Sequence, residues 1–206
     1  MKKLLIVTGP QGSGNHMWSK IFALHPGVVG WSSLLETYWI PHDQEPFAEC
    51  WKDPAQLKNY NWTQQDHYVT SISCPYVDDT QHAVPNIAEF ARAAKSCGLQ
   101  VQIAIIGRDQ TILKFQETRI RGRSTFEIAQ DQYKKLAEWN PVYLSYELLH
   151  LYQGHYLEQI SKTLEFPISY TDTRVAEILK DDTNQKYIQP VNHHWTDKLM
   201  KTVKLA

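Results

Sequence analysis

An excess of charge of either sign is missing from this chain. Twenty-one basic residues stand against 22 acidic ones, a formal net charge of −1, so no global basic field marks nucleic acid or an acidic membrane as a partner. Cysteine is scarce: Cys50, Cys74 and Cys97 are odd in number and far apart. They offer no disulfide framework and no metal-spaced pair, and they fit a reducing, cytoplasmic setting. Long apolar runs are also missing, and none approaches the ~18 residues of a membrane span. Met1-Lys2-Lys3 opens as a secretory signal would, but the apolar run behind it stops at Gly9, too short for the central segment of such a signal. No repeat or low-complexity tract interrupts the chain.

What is present is ordinary in bulk and specific in one place. At 206 residues, 42% hydrophobic and 21% charged, the chain suits one globular domain with a real core. Seven tryptophans and eleven tyrosines are many for this length. Most are expected in the core or at its rim, some along a substrate cleft. The specific place is Leu4 to His25. Leu4 to Thr8 is a short, branched apolar run, as in a buried strand. Gly9, Gly12 and Gly14 follow, interleaved with Pro10, Gln11 and Ser13. Met17, Ile21, Phe22 and Leu24 then recur at helical spacing. Strand, glycine turn and helix form the layout that cradles phosphates, because backbone N–H groups and the helix N-terminus can approach an anion closely. The bland reading is a tight turn with no ligand. Gly9 and Gly14 have the spacing of a Walker A loop, but Asn15 and His16 stand where its lysine and hydroxyl belong.

Downstream, apolar runs at 28–31, 68–73, 101–106 and 141–145 read as strands. Helices are expected at 14–25, 32–38, 86–97, 110–120, 124–136, 154–164 and 193–203. Pro85 opens one of these and Gly98 closes it. Ser124 with Glu127 forms a capping box for another. Asp53-Pro54 starts a helical turn within 41–67, the least regular stretch, which reads as a substrate-facing insertion or lid. Residues 74–84 read as a loop. Alternating strands and helices imply a three-layer α/β/α sandwich with a mainly parallel sheet, P-loop NTPase-like in class. Ligands bind such sheets at the carboxyl ends of the strands. That rule brings Gly9–Gly14, residues 74–79 and Arg108 to one crevice.

Arg108 directly follows the run 101–106, where a guanidinium suits forked recognition of a phosphate. Its alternative is a surface pair with Asp109. Together with the glycine turn, this pattern resembles the sulfotransferases. Gly9-Pro10-Gln11-Gly12-Ser13-Gly14-Asn15-His16 is similar to that family's G-x-P-R/K-S-G-T-T loop, and His25-Pro26 to the His-Pro element after its first helix. Arg108-Asp109 resembles the family's R-D-P element, with Gln116 where its serine stands. Leu144 to Leu149 resembles R-Y-E-D-L, and Lys186 to Asn192 with Trp195 resembles the I-K-P-V-N tail of tyrosylprotein sulfotransferases.

The resemblance implies sulfuryl transfer from 3′-phosphoadenosine 5′-phosphosulfate to a hydroxyl or amine acceptor on a small molecule, glycan or peptide. It implies no metal, and adenosine 3′,5′-bisphosphate as the product. By the same resemblance, the loop from Gly9 through Gln11, Gly12, Ser13, Gly14, Asn15 and His16 holds the 5′-phosphosulfate. Arg108 and Gln116 hold the 3′-phosphate, with Arg121 and Lys186 as helpers. The family's loop cation falls at Gly12 here, so another group must stabilise the leaving oxygen. A protonated His16 is one candidate, although the helix dipole there lowers its pKa; Lys20 lies one turn further on. Glu36 is the first candidate for the general base, with His42 and His82 behind it. Two other readings remain open. One is a P-loop nucleoside or nucleotide kinase, in which Arg119, Arg121 and Arg123 form an arginine lid and Asp78-Asp79 a metal site. The other is a nucleotide-binding protein of the same fold that has lost its chemistry.

Overall fold

The computed structural model describes residues 1–78, 81–122 and 124–185, leaving out the side chains at 78, 81, 120 and 121. Strand β1, Lys3–Pro10, is buried along its whole length. It lies between β3, His67–Cys74, and β6, Gln100–Gly107, parallel to both. The short β2, Val28–Val29, extends the sheet beside β3, and β7, Val142–Ser145, extends it beside β6. The order β2-β3-β1-β6-β7 is parallel throughout. The run 101–106 is therefore interior, as its unbroken hydrophobicity predicts.

Period-two alternation distributes the core to the two faces. Leu5 and Val7 of β1 meet Trp18, Ile21 and Phe22 of α1, Asn15–Ala23. On the same face lie Leu149, Leu157 and Ile160 of α6, Tyr146–Leu164, and Val175 and Leu179 of α7, Arg174–Leu179. Leu4 and Ile6 point the other way, onto Phe90, Ala91 and Ala94 of α3, Ile87–Ser96, and onto Phe47, Trp51 and Leu57. Each fully buried Leu or Ile contributes about 1.5–3 kcal/mol. The result is the expected three-layer α/β/α sandwich with a mainly parallel sheet. Among the described residues, no helix is long and apolar enough to cross a membrane.

Several local readings change. The stretch 32–38 is a 3₁₀ turn, Ser32–Glu36, with no side-chain cap. Asn86, not Pro85, caps α3, accepting from the Glu89 N–H at 3.2 Å. The capping box of Ser124 and Glu127 does not form. Ser124 Oγ instead donates to Glu117 at 2.7 Å. Glu117 belongs to α4, Gln110–Arg121, is fully buried, and also accepts from the Thr125 N–H and hydroxyl ahead of α5, Phe126–Lys134. A helix starting at 154 misses eight residues of α6. Ser145 caps that helix through the Leu148 N–H, and it kinks at Gln153, φ 45°. The loop 74–84 contains a hairpin, β4 Tyr76–Asp78 with β5 Gln81–Ala83. The helix at 193–203 lies outside the described residues.

The insertion at 41–67 divides in two. From Glu45 onward it packs on the core through Phe47, Cys50, Trp51 and Leu57: α2, Ala48–Lys52, places Trp51 on Phe90 with ring centroids 3.8 Å apart. Asp53 caps the 3₁₀ turn Pro54–Asn59, as its Asp-Pro pair predicts. Pro41, His42 and Asp43 remain to face the cleft.

Candidate nucleotide site

A cavity of about 960 Å³ opens at the carboxyl ends of β1, β3 and β6. Its floor is the turn between β1 and α1. Ser13 donates its N–H to the Pro10 carbonyl at 3.0 Å, folding the chain back on the strand. Gly9 makes this fold possible, since a Cβ there would lie 2.2 Å from Ser13 Oγ and 3.0 Å from Ile106. Gly14 precedes α1 at φ 106°, and a Cβ on it would press the Tyr146 ring at 3.1 Å. The first N–H groups of α1 have no acceptors within the helix. Gly12, Gly14, Asn15 and His16 line the cavity where those groups emerge. A glycine with no room for a Cβ and a second held at positive φ at the helix start fit a bound phosphate.

Arg108 follows β6 into the same cavity. It is only 7% exposed, which removes the reading of a surface arginine. Asp109 does not neutralise it; its carboxylate caps α4, accepting from the Ile112 N–H at 2.9 Å. The Arg108 Nη1 donates to the Gly12 carbonyl and, at 3.0 Å, to Gln116 Oε1. Its guanidinium lies 4.4 Å from the centre of the Tyr146 ring. Nε donates to Asn184 Oδ1 at 2.7 Å and Nη2 to Thr183 Oγ1 at 3.0 Å.

Residues from the sequence reading distribute unevenly over this cavity. Gln11, Gly12, Gly14, Asn15, His16, Arg108 and Gln116 border it. Gly9 and Ser13 shape the turn from beneath. Asn15 Nδ2 donates to Ser73 Oγ at 3.0 Å, and Gln11 Nε2 lies 3.4 Å from His82 Nδ1. Lys186 and the Arg121 side chain lie outside the described residues, as do Asp79 and Arg123. Glu36 borders a separate cavity of about 540 Å³, with Leu24, Ser33 and Arg174. That cavity shares Glu177 and Ile178 of α7 with the larger one but includes no residue of the glycine loop.

His16 does not match the expected cation. Its Nε2 donates to the Ile40 carbonyl at 2.9 Å, and its ring packs beside Trp31 and Trp39. Burial lowers its pKa, and Lys20 lowers it further, against the opposing pull of the Ile40 carbonyl. The ring is therefore neutral at pH 7. Lys20 borders the cavity and is the nearest lysine along α1; its Nζ donates to the Thr37 carbonyl at 2.6 Å. His42 also borders the cavity, with Nε2 donating to the Ser71 carbonyl at 2.8 Å. Three carboxylates, Asp43, Glu177 and Asp181, complete the outer lining. Among the described residues no group of three or more His, Cys, Asp or Glu is placed to hold a metal ion.

Sequence reasoning missed Tyr146, Thr183 and Asn184 as site residues. Tyr146 falls within the R-Y-E-D-L-like run, which was a usable signal. Thr183 and Asn184 sit in an aperiodic polar stretch that carries none.

No protein-family model and no curated protein matches the chain. Among solved structures it is similar to mouse sulfotransferase SULT7A1 complexed with PAP. The identity is 12%, covering 87% of this chain and 64% of that one, with a TM-score of 0.49.

Proposed function

We propose that this protein binds 3′-phosphoadenosine 5′-phosphosulfate and transfers its sulfuryl group to a hydroxyl or amine. The observation that carries the reading is the hydrogen bonding of Arg108 to Gly12 and Gln116. It joins two elements of the resemblance, nearly a hundred residues apart in sequence, in one crevice at the end of the sheet. The backbone of Gly12 to Asn15 takes the 5′-phosphosulfate, and Arg108 with Gln116 takes the 3′-phosphate. In transfer, the sulfur–oxygen bond to the leaving phosphate breaks as the acceptor oxygen bonds to sulfur, and the acceptor proton passes to a base. His42 suits that role better than Glu36 because it borders the cavity. The Ser71 carbonyl accepts from its Nε2, which orients the ring. Lys20 is the cation for the leaving oxygen.

A second reading, nucleotide binding without transfer, draws on the neutral, carbonyl-bound His16 and on Gly12 where the loop cation would be. Thermal unfolding tests the binding. At ~100 times its dissociation constant, adenosine 3′,5′-bisphosphate stabilises by about 2.7 kcal/mol, a rise of a few degrees, while ATP with magnesium gives a much smaller one. A larger rise with ATP and magnesium overturns this reading in favour of a kinase. No rise with either overturns nucleotide binding. Transfer of labelled sulfate to an acceptor then separates the enzyme from the binding protein.

A further inference from the structure

Arg108 is the residue on which the nucleotide reading depends most, and its guanidinium is already held by the chain itself. Nε and Nη2, the two nitrogens of one edge, donate to Asn184 Oδ1 and Thr183 Oγ1. Such an edge is what a phosphate takes in a forked contact. The segment that supplies these oxygens is itself well seated. The Thr183 N–H donates to the Tyr146 hydroxyl at 3.1 Å, and the two hydroxyls lie 2.9 Å apart. Asn184 Nδ2 donates to Glu147 Oε1 at 3.3 Å, and the Asn184 N–H to Asp182 Oδ1 at 2.9 Å. Asn184 is buried, whereas Thr183 borders the cavity.

We propose that residues 182–184 form an internal strap that occupies the Arg108 fork until the 3′-phosphate of an incoming nucleotide displaces it. The strap offers neutral oxygens. A phosphate offers charged ones, and charge-assisted bonds are roughly twice as strong. The exchange therefore runs toward the ligand, while its apparent affinity is scaled down by the fraction of free molecules in which the strap is unseated. A nucleotide without a 3′-phosphate has no means of unseating it. The strap thus holds the preference for the bisphosphate over the monophosphate below what the direct contact alone would give. The inference rests on the nucleotide reading above.

Amide hydrogen exchange on the whole protein tests it without a substitution. Adenosine 3′,5′-bisphosphate should speed exchange at 182–185 while slowing it at 11–18; adenosine 5′-monophosphate should leave 182–185 unchanged. Two variants carry the test in opposite directions. Asn184→Ala, which weakens the strap, should tighten bisphosphate binding by about five- to tenfold. Asn184→Asp, which gives Arg108 an internal carboxylate, should weaken it by about tenfold or more. If the bisphosphate binds but exchange at 182–185 stays constant or slows, the displacement is wrong. If Asn184→Ala weakens binding, the strap is part of the binding surface, and the displacement is again wrong. Absence of binding in the wild type and both variants overturns the nucleotide reading together with this one.

Discussion

The two sides of the crevice are built from different materials. The side made by the β1–α1 turn and β6 uses backbone N–H groups, glycines that exclude a Cβ, and a guanidinium that stays charged at every accessible pH. The β3 side uses an imidazole and a buried carboxyl. His42 is held by the Ser71 carbonyl, and beneath it Glu45 accepts from the Phe47 N–H at 2.7 Å and the Ser71 N–H at 3.3 Å. Burial pushes the Glu45 carboxyl up to about 8, against those bonds and one from Thr70. One side is rigid and indifferent to pH; the other is a titratable wall. Anion binding belongs with the first, and proton transfer with the second.

The largest expected effect breaks the rigid side. Gly9→Val forces a branched Cβ into Ser13 Oγ and Ile106, so the turn cannot close. Overpacking of this kind costs typically 1–3 kcal/mol and here about 3 kcal/mol or more, because the β1 backbone cannot yield. Denaturant titration should show the midpoint falling, and bisphosphate binding should vanish with it. Retained stability and binding would mean that the turn is more plastic than its geometry implies.

Arg108→Lys comes next and separates recognition from stability. A point ammonium cannot reproduce two parallel donors. Bisphosphate affinity should fall ten- to hundredfold, about 1.5–3 kcal/mol, with little change for adenosine 5′-phosphosulfate, which has no 3′-phosphate. Equal weakening of both ligands in calorimetry would make Arg108 a structural tie for Gly12 and Gln116 only.

The effect that is smallest per step, read one pH unit at a time, belongs to the titratable side. Glu45 keeps its proton in the folded state up to about pH 8, whereas the unfolded chain releases it near the ordinary value of 4.5. Its contribution is thus complete below about pH 4.5 and is lost as pH rises toward 8, by at most about 1.4 kcal/mol for each pH unit. Melting temperatures across that window should drift downward in the wild type and less in Glu45→Gln. Identical slopes would show that Glu45 is ionised in the fold.

These contrasts follow what the sequence can display. The β1–α1 unit was legible because it is local: a strand, its glycines and the next helix lie within 25 residues, and periodicity reports each. The parallel order was legible from alternation of strands and helices. Arg108 was legible through its place after an interior strand. Glu36 illustrates the limit, since nearness in sequence to the His-Pro element did not predict which cavity it would border. Thr183 and Asn184 illustrate another. They act through single contacts with Arg108 and Tyr146 made across the fold, and a contact without periodicity leaves no trace in composition or spacing. The same holds for Glu117, whose buried carboxylate takes three donors that a capping motif would have assigned differently.

The position of β1 also bears on how the chain must be made. Of the described strands it is the first to leave a ribosome, and it is apolar on both faces. Yet Lys3 pairs with His67, and the other neighbour begins only at Gln100. At roughly 5–20 residues per second, β1 waits about 3–12 s for its first partner strand and longer for its second. During that interval, it is an exposed, sticky segment with two unsatisfied edges. A nascent chain of this protein therefore depends on being shielded early, at the segment that later becomes its most protected.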